Sequence, residues 1–173
     1  MLLGMDDAGM QQQLARQYLA TLAMLKQAIE ACPAELWLDS KYTNQFWHIA
    51  YHTIFFTHFY VHASEKDFRP WAKHRKDSQY LGGGPQRSPD DPMAAIETYT
   101  REEVLEYHAF CCNEVKAKVH AVPLDAESGF SWLPFNRFEV HLYNLRHLAH
   151  HTGQLADRLR VVADIGTPWV RTV

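Results

Sequence analysis

Apolar positions recur along this chain in steps of three and four within four separate stretches, the period of one face of an α-helix. Between Gln11 and Cys32 the series Ala15, Tyr18, Leu22, Leu25, Ile29 and Cys32 lays a single stripe along a helix, and Pro33 ends it. After a short connection through Asp39 and Ser40, a second helix is predicted over Tyr42–Ala63. It is aromatic or aliphatic on nearly every side, which places it in the middle of a core. A third helix opens at Thr100, because Thr100 and Glu103 stand at the capping-box spacing, where each side chain satisfies a free N–H at the other's position. Its stripe runs Val104, His108, Cys111, Val115 and Val119, and Pro123 closes it. Gly129, Trp132 and Pro134 mark a loop before a fourth helix over Arg137–Val162, whose inward stripe is read as Phe138, Leu142, Leu145, Leu148, Leu155 and Leu159.

Between the second and third helices the pattern lapses. From Ser64 to Thr98 the residues are largely Lys, Arg, Asp, Pro and Gly, with Gly82, Gly83, Gly84 and Pro85 at the centre, and no period is sustained. Asp91 and Pro92 ahead of Met93–Ile96 can start one helical turn inside this connection. Structureless connections of such length are uncommon in compact domains and usually carry function. No stretch alternates with the two-residue period of a strand. The predicted fold is therefore all-α, a four-helix bundle with a long crossover between its second and third helices, formed by residues 1–173 as one domain.

Composition changes this picture mainly by exclusion. The net charge is -3, from 17 basic and 20 acidic residues without a basic block, so the electrostatic footprint of a nucleic-acid binder is missing. The most apolar stretch, Phe46–Val61, is interrupted by His48, His52, Thr53, Thr57 and His58, which reads as a buried helix rather than a bilayer span. Cys32 stands alone, while Cys111 and Cys112 are helical neighbours whose side chains diverge, so all three read as reduced thiols. With an acidic N-terminus carrying Asp6 and Asp7 rather than a basic start and an apolar run, a cytoplasmic location is expected.

The composition is unusual in its 11 histidines, and their positions matter more than their number. His48 and His52 on the second helix, and His147 and His151 on the fourth, are each four residues apart, one turn above each other on one face. Helical bundles build metal sites from such inward-facing positions. On the fourth helix His147 and His151 flank the apolar stripe, whereas His150 is rotated away. Asn144 and Gln154 share the ligand face, where they can orient a ligand or serve as polar residues at a helix seam. His141 falls within the stripe and reads as a hydrogen-bonded core histidine. His58, His62, His74 and His120 are expected at the surface.

The segments Phe46–Phe56, with His48 and His52 inside, and Leu142–Leu155, reading L-Y-N-L-R-H-L-A-H-H-T-G-Q-L, resemble the two signature helices of the DinB-like superfamily of metal-binding four-helix bundles. The resemblance spans essentially the whole chain. It implies a three-histidine site made by one histidine of the second helix and an H-x-x-x-H pair of the fourth, positions that match His52, His147 and His151, with His48 the competitor for the first. It also implies frequent homodimers, and activities that include thiol-dependent S-transferases and isomerases using small intracellular thiols.

Three neutral imidazoles suit one divalent transition metal, with zinc or nickel preferred here, and exclude magnesium and calcium. Structural zinc is normally closed by four protein ligands; three leave a position for water or substrate, and the metal then activates a water or a thiol. The expected function is accordingly that of a metal-dependent enzyme, a thiol-dependent S-transferase or a hydrolase acting on a small molecule. The alternative is a non-catalytic protein in which metal braces the helices or the pocket senses a ligand. Substrate choice is expected from Arg69, Trp71, Tyr80 and Trp132. Glu139, two turns before His147, is read as a solvated residue before a general base, and Cys111 and Cys112 as inert packing.

Overall fold

In the computed structural model, which describes residues 6–83 and 97–173, five α-helices are joined by turns and loops, and no strand forms among the described residues beyond an isolated bridge between Glu127 and Asn136. Helix α1 spans Asp7–Ala31, α2 Ala34–Trp37, α3 Phe46–Val61, α4 Arg101–Lys118 and α5 Arg137–Ala163. A short 3-10 turn at Leu81–Gly83 precedes residues 84–96, so the helical turn expected at Met93–Ile96 lies outside the described residues.

Helix α1 begins earlier than its apolar stripe because Asp6 caps it, its Oδ1 accepting the Gly9 N–H at 2.8 Å. The residues read as its stripe, from Ala15 to Cys32, are all buried. The four-residue helix α2, which periodicity cannot reveal, starts directly after Pro33. Helix α3 begins later than predicted because the Asp39 carboxylate takes the Lys41 N–H at 3.0 Å and holds the preceding segment in a turn. Within α3 most residues are buried, and the hydroxyls of Thr53 and Thr57 donate to the carbonyls of Ile49 and Thr53 at 2.6 and 2.7 Å, which lets them sit in an apolar interior. Helix α4 carries the expected capping box: Glu103 N–H donates to Thr100 Oγ1 at 3.2 Å, and Thr100 N–H to Glu103 Oε2 at 2.8 Å.

Helices α1 and α3 each pack against both α4 and α5, and a continuous core of Tyr18, Leu22, Leu25, Ile29, Ile49, Ile54, Val104, Tyr107, Val115, Leu148 and Leu155 fills the space between them. On α5 the predicted inward stripe needs correction. Phe138 and Leu142 are 37% and 46% exposed, and the inner face is made instead by Arg137, Val140, His141, Asn144, Leu148, Thr152, Leu155 and Leu159. Arg137, His141 and Asn144 have partners that an apolar pattern does not register: Asn144 Nδ2 donates to Thr57 O at 3.1 Å, and the Tyr18 hydroxyl meets His141 Nδ1 at 3.3 Å and donates to His141 O at 3.0 Å.

Arg137 sets the register between α3 and α5. Its side chain is fully buried, and one guanidinium nitrogen donates to Tyr60 O and Val61 O, the last two carbonyls of α3, at 2.9 and 2.8 Å. A cation at a helix C-terminus satisfies carbonyls that have no intrahelical donor and complements the helix dipole. Burial lowers the Arg137 pKa only to about 10, so the group keeps its charge at neutral pH. With the first residue of α5 pinned to the end of α3, going back to His52 and forward to His147 covers about 14 and 15 Å at 1.5 Å per residue, which brings the two histidines level. Nearby, Gly129 has φ +79°, and a Cβ there would fall on the Ala63 carbonyl oxygen, so the loop before α5 closes on α3 only with glycine at this position.

No helix among the described residues is long and apolar enough to cross a membrane. The three cysteines are free.

Candidate metal centre

His52 from α3 and His147 and His151 from α5 come together at the seam between the two helices, each offering a ring nitrogen within 4.8 Å of the others. The rings form a near-equilateral triangle, with centroids 4.9 Å apart for His52 and His147, 4.8 Å for His52 and His151, and 4.7 Å for His147 and His151. Phe56, one turn beyond His52, presents its ring to His52 and His147 at 4.8 and 5.6 Å and forms an apolar wall. All three histidines are partly buried.

Two of the three rings are oriented by a hydrogen bond on the nitrogen facing away from the group. His52 Nδ1–H donates to Gln79 O at 2.6 Å, and His151 Nδ1–H to Gln154 Oε1 at 2.9 Å. Each bond fixes a tautomer in which Nε2 carries the lone pair, the arrangement usual around metal-ligating histidines. His52 Nε2 lies 3.0 Å from His147 Nε2, a few tenths of an ångström short of the ~3.3 Å edge of a tetrahedral site with ~2.05 Å metal–nitrogen bonds. His147 Nδ1 is buried without a hydrogen-bond partner.

Electrostatics keep the rings in the neutral form that ligates. Burial, then the nearby His151 and His48, take the His52 pKa down to about 4 against the opposing Gln79 hydrogen bond. Burial and the surrounding His52, His151 and His150 take His147 to about 3. His151 is also lowered, first by burial. Three neutral imidazoles with convergent donor atoms, two of them with secured orientations, fit a borderline divalent metal.

Other residues singled out in the sequence fall into place around this group. His48 is not a member: its Nε2 meets Ser78 O at 3.1 Å and its ring stacks on Trp47. His150 is exposed, and His141 is a fully buried core histidine bonded to Tyr18. Gln154 orients His151, whereas Asn144 bonds α3 and serves packing. Glu139 is exposed in the first turn of α5. Cys111 is fully buried, which pushes its thiol far up. The Gln79 carbonyl is a contributor that sequence reasoning missed, since a backbone acceptor leaves no trace in residue type.

Three expectations are corrected. Trp71, expected to meet substrate, is buried and stacked on Tyr107 at 4.7 Å. His74, expected at the surface, is half-buried, its Nδ1 2.7 Å from the Tyr51 hydroxyl. His58 and His62 are buried where α4 covers the end of α3; they are four residues apart, so the spacing that drew attention to His48 and His52 was present here too. Two open clefts, about 490 Å³ around Ser128, Phe130 and Leu133 and about 540 Å³ between Trp37 and Thr100, contain none of the three histidines. Among the described residues neither cleft brings together a comparable set of donor atoms.

Residues 17–155 match the sequence model of the DinB superfamily. Neither the curated proteins nor the solved structures compared with this chain include a match.

Proposed function

We propose, from the premise that this chain belongs to the DinB superfamily, that it is a metal-dependent enzyme in which His52, His147 and His151 hold one divalent transition metal, zinc or nickel. The observation that carries the reading is the convergence of three neutral imidazoles from α3 and α5, two of them secured through Nδ1. A metal held this way supplies Lewis acidity that activates a water or a thiol. The reactions that fit are S-transfer from a low-molecular-weight thiol and hydrolysis of a small molecule. Gln79 and Gln154 hold the ligating rings in place, and Phe56 keeps one side of the site dry.

In the same reading, α1, α3, α4 and α5 form a four-helix bundle, residues 62–100 are its crossover, and the chain is a single cytoplasmic domain. It assembles as a homodimer, for which the exposed Phe138 and Leu142, one turn apart on α5, offer an apolar surface.

A non-catalytic role in metal or small-ligand binding is the second reading, favoured by the absence of a carboxylate from the three-histidine group among the described residues. Replacing His147 with Ala is expected to remove one equivalent of bound metal while preserving helix content. Purified wild-type protein loaded with zinc or nickel, assayed against small thiols paired with electrophiles and against hydrolysable esters and amides, is expected to turn over in a metal-dependent manner. Full occupancy without turnover selects the non-catalytic role, and undiminished binding by the variant removes the ligand assignment.

A further inference from the structure

A second group of donors lies on the other side of α3, at its seam with α4. His58 and His62 occupy successive turns at the C-terminal end of α3, and Glu114 reaches them from α4. Glu114 Oε2 is 3.4 Å from His62 Nε2 and 3.8 Å from His58 Nε2. These separations exceed the ~2.7–2.9 Å of a charge-assisted hydrogen bond, but they approach the ~3.3 Å ligand-to-ligand edge of a tetrahedral site with bonds of ~2.0–2.2 Å.

The orientation of both rings is accounted for on the far side. His62 Nδ1–H donates to His58 O at 2.9 Å, and His58 Nδ1 is engaged with the Tyr107 hydroxyl at 3.0 Å. Both Nε2 atoms are left facing the carboxylate. His58 is fully buried, and its Nε2 has no hydrogen-bond partner. An orphaned polar atom in an interior is uncommon and calls for an explanation, an absent ion among them. A contact between His62 and Glu114 alone leaves that nitrogen orphaned; a cation between the three groups satisfies it. Burial, then His62 and Lys118, push the His58 pKa down to about 3, so its ring is neutral. Phe68 and Phe110 enclose the His58 ring, with centroids at 4.9 and 5.2 Å, while Glu114, its side chain 22% exposed, provides the way in from solvent.

We propose that His58, His62 and Glu114 form a second site for a divalent transition metal, which ties the C-terminal end of α3 to α4 and leaves one coordination position for water. Two imidazoles and one carboxylate suit zinc, cobalt or iron(II). The site shares no ligand with the three-histidine group and is independent of the activity proposed there.

The test is a zinc titration of the full chain, stripped with chelator and monitored against a chromophoric competitor, with bound metal counted by elemental analysis. The wild type is expected to bind two equivalents, Glu114→Gln one, His147→Ala one, and the double variant none. Cobalt bound to His147→Ala is expected to give the visible absorption of a tetrahedral ion, lost on adding Glu114→Gln. Circular dichroism of each variant checks that the helices persist, and Glu114→Ala provides a second substitution at this partly exposed position. Two equivalents in Glu114→Gln, or a single wild-type equivalent that Glu114→Gln retains and His147→Ala loses, would overturn the second site. A single equivalent lost in Glu114→Gln and kept in His147→Ala would instead support it and overturn the three-histidine assignment.

Discussion

Replacing His147 with Leu separates ligation from folding, because the two roles have opposite signs at this position. In metal-free protein His147 is a liability: its Nδ1 is buried without a partner, and its ring stays neutral at ordinary pH. An unsatisfied buried polar atom costs ~1–3 kcal/mol, and Leu removes it while adding apolar area against Phe56. The loss on the other side is the contact between His52 Nε2 and His147 Nε2 at 3.0 Å, a hydrogen bond worth ~0.5–1.5 kcal/mol when one of the two is protonated. The variant should therefore be more stable than its parent without metal by about 0–2 kcal/mol. With zinc the order reverses. A site filled at a thousand times its dissociation constant adds ~4 kcal/mol to a protein that can bind, and nothing to one that cannot. Urea unfolding followed by circular dichroism measures both quantities, first in chelator and then in excess zinc, in a Glu114→Gln background so that only this site responds. A metal-free variant less stable than its parent by more than about 1 kcal/mol would refute the cost assigned to the buried ring. Full zinc stabilisation of the variant would refute its place in the site.

Other consequences can be tested alongside. His58 and His141 are fully buried with pKa values lowered from 6.5 to about 3, so below 6.5 the unfolded chain takes up protons that the folded one refuses. Their stabilising contribution is full above that pH and is lost as pH falls, by about 4 kcal/mol between pH 8 and pH 5 for the pair. Equal urea midpoints of metal-free protein at the two pH values would contradict this. Replacing Arg137 with Met leaves the Tyr60 and Val61 carbonyls without their donor and should cost about 2–4 kcal/mol in the same assay; a loss within error would mean that water replaces the guanidinium. Gln154→Leu removes the acceptor that orients His151 and should weaken zinc binding ~10–100-fold in a competition titration, with helix content unchanged. Unaltered affinity would show that the ring needs no such support.

The sequence by itself determined the four long helices and the family. The stripe of α1, the Thr100–Glu103 capping box of α4 and the apolar girth of α3 are local signals, each written within one or two turns of chain, and the folded molecule retains them. The spacing of His147 and His151 was equally local. Which histidine of α3 joins them was not, since His48 and His52 have the same chemistry and differ only in what the neighbouring elements present to them: Ser78 O to one, His147 to the other. The inner face of α5 was misread for a related reason. Hydrophobic pattern ranks residues by their cost of leaving water, but Arg137, His141 and Asn144 recover that cost from partners on other segments, and those partners exist only after packing. The burial of His58 and His62 beneath α4, and the approach of Glu114 to both, were decided in the same way. Periodicity tells a helix which side is apolar; only the tertiary structure decides which polar side chains are met on arrival, and both candidate metal sites are made of such meetings.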